Sequence, residues 1–369
     1  MKNKYLVLNT KNNVFVFLIS TILFIGCSQN QSARKLSKTQ DPAETKTIPP
    51  AAKSITPAVT GIKYLLLPRG TAQTYNNKSN LIIENLSFGN QNASFQNGNI
   101  LILNDCSNIT IRNCYFGSSA GAGIYAYESK NIKIENCLFA YNMTSVYFSR
   151  SSGAYVKNSQ FINTYGSGEA RGEFVKFVEC TGAGNGVENC RGENFGGESN
   201  PEDLISIYKS SGTATSPIKI TGNIFRGGGP SASGGGIVAG DGDNSFTGGN
   251  VRITNNILVD PGQYGIAAGG GTNITITGNK IYAKKQPWTN NPLFVWNQYA
   301  PACANITVKN NRVNWTDKNG DINPGWNAGN CSNTIFEMPA SITLAEMNIP
   351  SHLISFITEA ELLTVRLLK

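Results

Sequence analysis

A nine-residue phrase recurs nine times along this chain, and it constrains the fold more than any other feature. Asn108–Phe116 reads Asn-Ile-Thr-Ile-Arg-Asn-Cys-Tyr-Phe, and Asn131–Phe139 reads Asn-Ile-Lys-Ile-Glu-Asn-Cys-Leu-Phe. Clear copies begin at Pro217, Asn250, Asn273 and Asn305, and weaker ones at Asn80, Gly153 and Gly184. Successive starts lie 22 to 33 residues apart, the spacing of solenoids and arrays. Within a copy apolar and polar residues alternate, as in Ile109, Thr110, Ile111, Arg112. That is the period of a strand with one buried face. A second short strand precedes most copies, for example Leu101-Ile-Leu103, Ile205-Ser-Ile-Tyr208 and Ile237-Val-Ala239. Each coil therefore carries at least two strands, joined by Gly, Ser and Asn, which tolerate tight turns.

Such a strand pair cannot bury its own apolar face, but stacking coil on coil can. Equivalent residues then stand about 4.8 Å apart. Two columns follow from aligning the copies. Asn85, Asn113, Asn136, Asn158, Asn189, Asn255 and Asn310 share one position, with Gly222 and Gly278 in their place in two copies. This column is expected to be an asparagine ladder at a turn, its amides bonding to backbone and to one another. Three positions on, Phe88, Phe116, Phe139, Phe161 and Phe225 form an expected aromatic stack, continued by Leu258, Ile281 and Val313.

Over roughly residues 80 to 315 the chain resembles the right-handed parallel β-helix proteins, the pectate-lyase-like superfold. The expected fold class is all-β, a right-handed parallel β-helix solenoid with a short C-terminal helical cap. One fold of this kind hosts many activities, so function has to be sought in particular residues.

The N-terminus reads as a targeting segment. Lys2, Lys4 and Lys11 precede the apolar run Val14 to Ile25, and Gly26-Cys27 follows. This pattern resembles a bacterial lipoprotein signal, with residues 1–26 removed and Cys27 lipidated. The alternatives are a signal peptide that ends in Cys by chance, or an uncleaved anchor, for which the apolar run is short. Residues 27–60 hold almost no large apolar side chain and read as a flexible tether. Residues 61–335 are assigned to the solenoid, and 336–369, where Leu353, Phe356, Ile357, Ala360, Leu363 and Leu367 recur at helical spacing, to a cap over its open end.

The net charge of +8 falls to +5 without the leader lysines. There is no long basic run and no arginine–aromatic interleaving, so nucleic acid is not the expected partner. A mildly basic surface suits an acidic polysaccharide. The expected localisation is the bacterial cell envelope, anchored in a membrane by lipid, with a monomeric domain. Cys114, Cys137 and Cys190 share a column and read as packed thiols, because stacked parallel side chains seldom meet disulfide geometry. Cys303 with Cys331 is the candidate disulfide of an exported protein. The sole histidine, His352, lies outside the repeats, which disfavours histidine-based catalysis.

The register of the coils brings scattered charges together. Aligned on Leu101, Ile124, Val146, Val175, Ile205, Ile237, Ile266 and Phe294, the fourth residue on is Asp105, Glu128, Arg150, Glu179, Lys209, Asp241, Gly270 or Gln298. Two places before the anchors stand Glu173 and Asp203, in adjacent coils, with Glu202 beside Asp203. Carboxylates about 5 Å apart on neighbouring strands can share a hard cation such as Ca2+ or divide into acid and base. The segment Glu173-Phe-Val-Lys-Phe177, with Asn189-Cys190-Arg191 beyond it, looks like the calcium-dependent pectate lyases that use a lysine base. The run of consecutive aspartates found in those enzymes is here reduced to Glu202-Asp203. The resemblance implies Glu173, Glu202 and Asp203 as cation or substrate ligands and Lys176, Lys209 or Arg226 as base or clamp, with Asp241 a further substrate ligand. The expected activity is that of a polysaccharide lyase-type enzyme. The alternative is a non-catalytic glycan-binding or structural surface protein, in which an alternating charge column merely neutralises itself. The Gly227–Gly236 and Gly240–Asn244 stretches read as tight turns, and Trp288, Trp296, Trp315, Trp326, Tyr282 and Tyr299 mostly as packing.

Overall fold

A computed structural model describes residues 62–89, 98–164, 172–231, 233–299 and 301–367. The expected leader, tether and Cys27 lie outside them. Three ten-stranded parallel sheets run the length of the molecule. The first extends from Gln73–Asn76 to Trp326–Asn327, the second from Ile82–Glu84 to Ile335–Phe336, and the third from Ser87–Phe88 to Ala340–Ser341. Each strand pairs with its equivalents one coil before and one coil after, so the chain is a parallel β-helix with three strands per coil. The last strand ends at Ser341, a little beyond the expected boundary at 335.

The repeated phrase is not one strand but two with a corner between them. Ser107–Arg112 belongs to the second sheet and Tyr115–Phe116 to the third. The corner residue is the conspicuous asparagine, and its role is conformational. Asn85, Asn113, Asn136, Asn158, Asn189, Asn255 and Asn310 all have φ between 49° and 56°, and Gly222 and Gly278 supply 68° and 70°. A left-handed conformation costs most side chains about 1–2 kcal/mol, and only Gly and, less readily, Asn or Asp adopt it routinely. The expected amide ladder is present in this column between Asn113 and Asn85, at 3.3 Å, and runs further through the first residue of the phrases that begin with Asn. Asn108 Nδ2 donates to Asn80, Asn131 to Asn108, Asn273 to Asn250 and Asn305 to Asn273, at 3.0–3.2 Å. A second, buried ladder lies one residue after the corner, through Asn223, Asn256, Asn279 and Asn311, each Oδ1 accepting the backbone N–H of the coil before. In earlier coils Cys114, Cys137, Ser159 and Cys190 take that position. Their thiol or hydroxyl groups donate to the carbonyl two residues back. The three cysteines are free and buried, as expected of packed thiols.

The aromatic stack is present, with ring centroids 4.8–5.4 Å apart from Phe88 through Phe116 and Phe139 to Phe161. One coil lacks its member, because Gly192 stands in register between Phe161 and Phe225. Phe174, from the loop leading into the first sheet, fills the vacancy. Its ring lies 5.1 Å from Phe161 and 5.3 Å from Phe225. A Cβ on Gly192 would come within 2.5 Å of that ring.

One expectation is corrected. The C-terminal helix exists, at Glu359–Leu367, but it does not cover the last coil. The terminal segment returns along the outer face of the third sheet, where Ile354, Phe356, Ile357 and Val365 pack with Leu138, Ala140, Tyr141 and Ile162. The N-terminal Tyr64 joins this layer, its ring stacked on Phe356 at 5.0 Å. The reason is that the third sheet has apolar side chains on both faces in these coils, and the outer one needs a cover. Arg366 bonds Glu198, which also accepts from Tyr141 Oη. The candidate disulfide is present: Cys303 and Cys331 are joined, with Cα atoms 4.7 Å apart, in adjacent coils beside the Ala304–Ser332 bridge. Stacked parallel positions therefore do admit a disulfide here.

Phe174 links core and surface, since Glu173 precedes it. Replacing Phe174 with Ala is expected to lower stability by about 3–5 kcal/mol, read from the urea midpoint, whereas Phe294→Ala on the outer face should cost clearly less.

Candidate functional site

The three outer walls differ in what they present to a ligand. The third is covered in part by the chain's own ends. The second carries a charge ladder of Glu84, Arg112, Glu135, Lys157 and Glu188 in register, with Arg112 and Glu84 in contact at 2.6 Å. These residues alternate in sign, and Glu188 also accepts from Tyr155 Oη. The first wall gathers the residues singled out from the sequence. Its outward positions are Tyr125, Tyr147, Lys176, Ser206, Val238, Ala267 and Phe294, in successive register. The strand equivalence puts Leu293, not Phe294, opposite Ile266, so the last expected anchor moves by one.

Glu173 and Asp203 stand on this wall in adjacent coils. Glu173 is only 2 % exposed. One of its oxygens takes Lys176 Nζ at 2.6 Å, and the other accepts from Thr144 Oγ1 at 2.9 Å. Asp203, 8 % exposed, accepts on Oδ1 from Gly235 N–H at 2.9 Å and from Tyr264 Oη at 2.5 Å. Tyr264 in turn packs edge-on against Phe294. Glu202 accepts from Ser231 and Ser233 at 3.0 and 2.6 Å. Tyr264 was not evident as a site residue from its neighbours in sequence, but it stands two places before an anchor, in the column of Glu173 and Asp203. Thr144 shares that column, so the alignment held both.

Burial governs the protonation states. It pushes the Asp203 carboxyl up to about 8, against the pull of Tyr264 and the Gly235 N–H. Burial also raises Glu173, opposed by the charge and hydrogen bond of Lys176. Burial would lower Lys176, but Glu173 outweighs it and the net shift is upward. Asp243, through its hydrogen bond, likewise raises Lys209. Both lysines are thus held charged, the opposite of what a lysine base requires.

The other expected residues separate. Gly240, at φ 70°, is an extra residue in its strand, so Asp241 pairs with Tyr208 rather than standing over Lys209. Lys209 contacts Asp243 instead, at 2.5 Å. Upstream the charge column is as expected, with Arg150 at 3.6 Å from Glu128 and 2.9 Å from Glu179. Arg226 lies on the third sheet, bonded to Glu193 and to the Pro350 carbonyl. It ties down the returning C-terminal segment and is remote from the first wall in register. The carboxylates do not fit a shared Ca2+ site. Those of Glu173 are taken by Lys176 and Thr144, those of Glu202 by serines, and among the described residues no three Asp, Glu, Cys or His side chains converge as a metal site. Of the late aromatics, Trp315 alone among the tryptophans is fully buried, while Trp296, Trp326 and Tyr299 are exposed.

A three-sheet parallel solenoid with this register defines a class, and the chain belongs to the right-handed β-helix family, which matches residues 69–281. No curated protein matches its sequence. Among solved structures it is similar to PfbA, a surface adhesin of Streptococcus pneumoniae, at 13 % identity and TM-score 0.45, over 75 % of this chain and 72 % of that one. It is also similar to a tailspike protein mutant of E. coli bacteriophage HK620 in complex with pentasaccharide, at 13 % identity and TM-score 0.39, over 71 % and 58 %. A third is the DFA-IIIase of Arthrobacter chlorophenolicus A6 in complex with GF2, at 10 % identity and TM-score 0.38, over 73 % and 64 %. The chain thus spans under two thirds of the latter two. These likenesses concern the fold.

The Asp203 proton gives a signed pH test. With a folded pKa of about 8 against an ordinary 3.8, the folded state holds a proton that the unfolded chain has released. Stability from this group is therefore full at low pH and lost as pH rises. Relative to Asp203→Asn, the wild-type protein should lose about 1.4 kcal/mol per pH unit between roughly pH 4 and 8, measured by urea unfolding across that range.

Proposed function

We propose that the protein is a carbohydrate-binding β-helix held at the bacterial cell envelope by lipid on Cys27, and that a polysaccharide lies along the outer face of the first sheet. The supporting observation is a series of tyrosines on this wall, each with a cation over its ring. Arg150 stands over Tyr127, Lys176 over Tyr147 and Lys209 over Tyr208, at 5.6–5.8 Å. Tyrosine rings offer flat apolar surface for the C–H face of a sugar and a hydroxyl for its edge. Every cation in the series already has a carboxylate partner, in Glu128 and Glu179, Glu173, or Asp243. Those pairs leave the wall no surplus positive charge, so a hydroxyl-rich, weakly charged chain suits it better than the acidic polymer expected from net charge alone.

Cleavage of the bound chain is the second reading, favoured by Asp203. Its Oδ2 has no hydrogen-bond partner among the described residues, and its proton is retained to about neutral pH, which suits a general acid. In that reading Lys176 and Lys209 hold substrate rather than remove its proton.

Affinity electrophoresis of the mature protein through gels cast with neutral or uronate polymers tests the binding. Retention by a neutral polymer is expected, weakened about tenfold, or 1.4 kcal/mol, by Tyr147→Ala or Tyr208→Ala. Retention unchanged in the double variant would sink the assignment of this wall. Release of new chain ends over time, abolished in Asp203→Asn, would establish the second reading.

A further inference from the structure

The first wall ends in an aromatic cluster. Its outward column continues from Phe294 to Trp326 in the last coil. Trp296, two residues beyond Phe294, falls on the same side by strand alternation. The Trp296 and Trp326 rings meet at 5.8 Å with their planes 60° apart. At that angle they do not stack flat on each other, and they are 39 % and 43 % exposed. Tyr299, just beyond, is more exposed still. Exposed aromatic side chains gathered at one place mark a binding surface. Towards the middle of the molecule the cluster meets an apolar floor of Phe294, Ala267, Val238 and Tyr264, and Tyr264 Oη reaches Asp203. The tryptophans therefore continue the wall on which the proposed polysaccharide lies.

The two coils that carry these rings are fixed to each other. Immediately after Trp296, the Asn297 N–H donates to Asn330 Oδ1 at 2.9 Å, and Asn330 Nδ2 returns to the Asn297 carbonyl at 3.0 Å. The Ala328 N–H bonds the Val295 carbonyl. The Cys303–Cys331 disulfide joins the same coils past the next corner. The pair is thus preformed, and a ligand does not have to order it. The surrounding chemistry narrows the ligand. The stretches that carry the cluster, 286–305 and 322–336, contain no Asp, Glu, Lys or Arg. What flanks the rings is amide, in Asn297, Gln298, Asn327 and Asn330. Amides donate and accept at once, as sugar hydroxyls require, and indole faces suit the C–H face of a pyranose. A single-stranded nucleic acid needs cations beside its stacking rings, and neither stretch supplies one.

We propose that Trp296 and Trp326 form a stacking subsite for a neutral pyranose ring of the bound polysaccharide, with the flanking Asn and Gln amides taking its hydroxyls. This rests on the reading of the first wall as a glycan face and deepens it, because it fixes the ligand as a neutral pyranose polymer and gives the chain a course. Tyr147 and Trp326 lie six coil steps apart in the first sheet, about 29 Å at the usual strand spacing. A polymer that touches both runs along the solenoid axis and gains from both contacts at once. A short fragment reaches one end only.

The probes are a glucomannan, a galactomannan and a mixed-linkage glucan, cast in gels for affinity electrophoresis of the mature protein, and the di- to tetrasaccharides that partial acid hydrolysis releases from each, titrated by calorimetry. At least one polymer is expected to retain the protein and its fragments to bind. Trp296→Ala and Trp326→Ala should each weaken fragment binding about tenfold, the scale of an aromatic anchor. Trp326→Phe, which keeps a ring, should weaken it clearly less, and Lys219→Ala on the exposed second wall should not change it. Fragment binding unchanged in both alanine variants overturns the subsite, and if Tyr147→Ala with Tyr208→Ala still abolishes polymer retention, the reading of the wall survives that loss. Fragment binding lost in the tryptophan variants, with polymer retention indifferent to the tyrosines, supports the subsite and removes the tyrosine assignment. No binding of any polymer or fragment overturns both. A dimer in sedimentation velocity that Trp326→Ala abolishes would place a second copy on the rings and overturn the proposal. If Trp296→Ala does not fold, Trp326→Ala against Trp326→Phe still decides it.

Discussion

Parallel hydrogen bonding from one coil to the next is the constraint on which everything else rests. It places equivalent residues directly above one another, so any side chain that suits one coil must suit its neighbours. Polar groups turned inward can exist only as ladders, which is what the buried run Asn223, Asn256, Asn279 and Asn311 achieves by bonding backbone N–H groups one coil away. An apolar column must likewise be continuous. Where Gly192 breaks the phenylalanine stack, Phe174 enters from another part of the coil to restore it. A gap there would lose contacts on both sides.

The same constraint shapes the outer surface. Adjacent coils force charges into registers, and the second wall resolves this by alternating sign. The first wall resolves it less completely. Glu173 finds Lys176, but Asp203 meets no cation among the described residues, and burial makes it keep its proton despite the hydrogen bonds from Tyr264 and a backbone N–H. A protonated, nearly buried acid on an outward-facing wall marks that wall as different from the other two. Tyrosines capped by cations give it a character suited to sugars.

Much of this was legible in the alignment of repeats. The parallel solenoid, the aromatic stack, the packed thiols and the adjacency of Glu173 and Asp203 follow from register alone. Tyr264 and Thr144 sat in the same column and were obscured only because their residue types differ from the acids. Other features needed the folded chain. Gly240 adds one residue to its strand and moves Asp241 out of line with Lys209, a bulge that a count of positions does not reveal. Arg226 follows a stack phenylalanine like a site residue, yet the returning C-terminal segment covers it.

The sequence by itself determined the coil, because a period of alternating apolar residues with a left-handed Asn or Gly at each corner admits little besides stacked parallel strands. Only the tertiary structure decided which wall is covered, which lysine meets which carboxylate, and that loops from four coils line a half-open pocket beside Trp288. Those outcomes depend on segments far apart in the chain meeting outside the repeat, and no local pattern encodes where a non-repeating loop or terminus comes to rest.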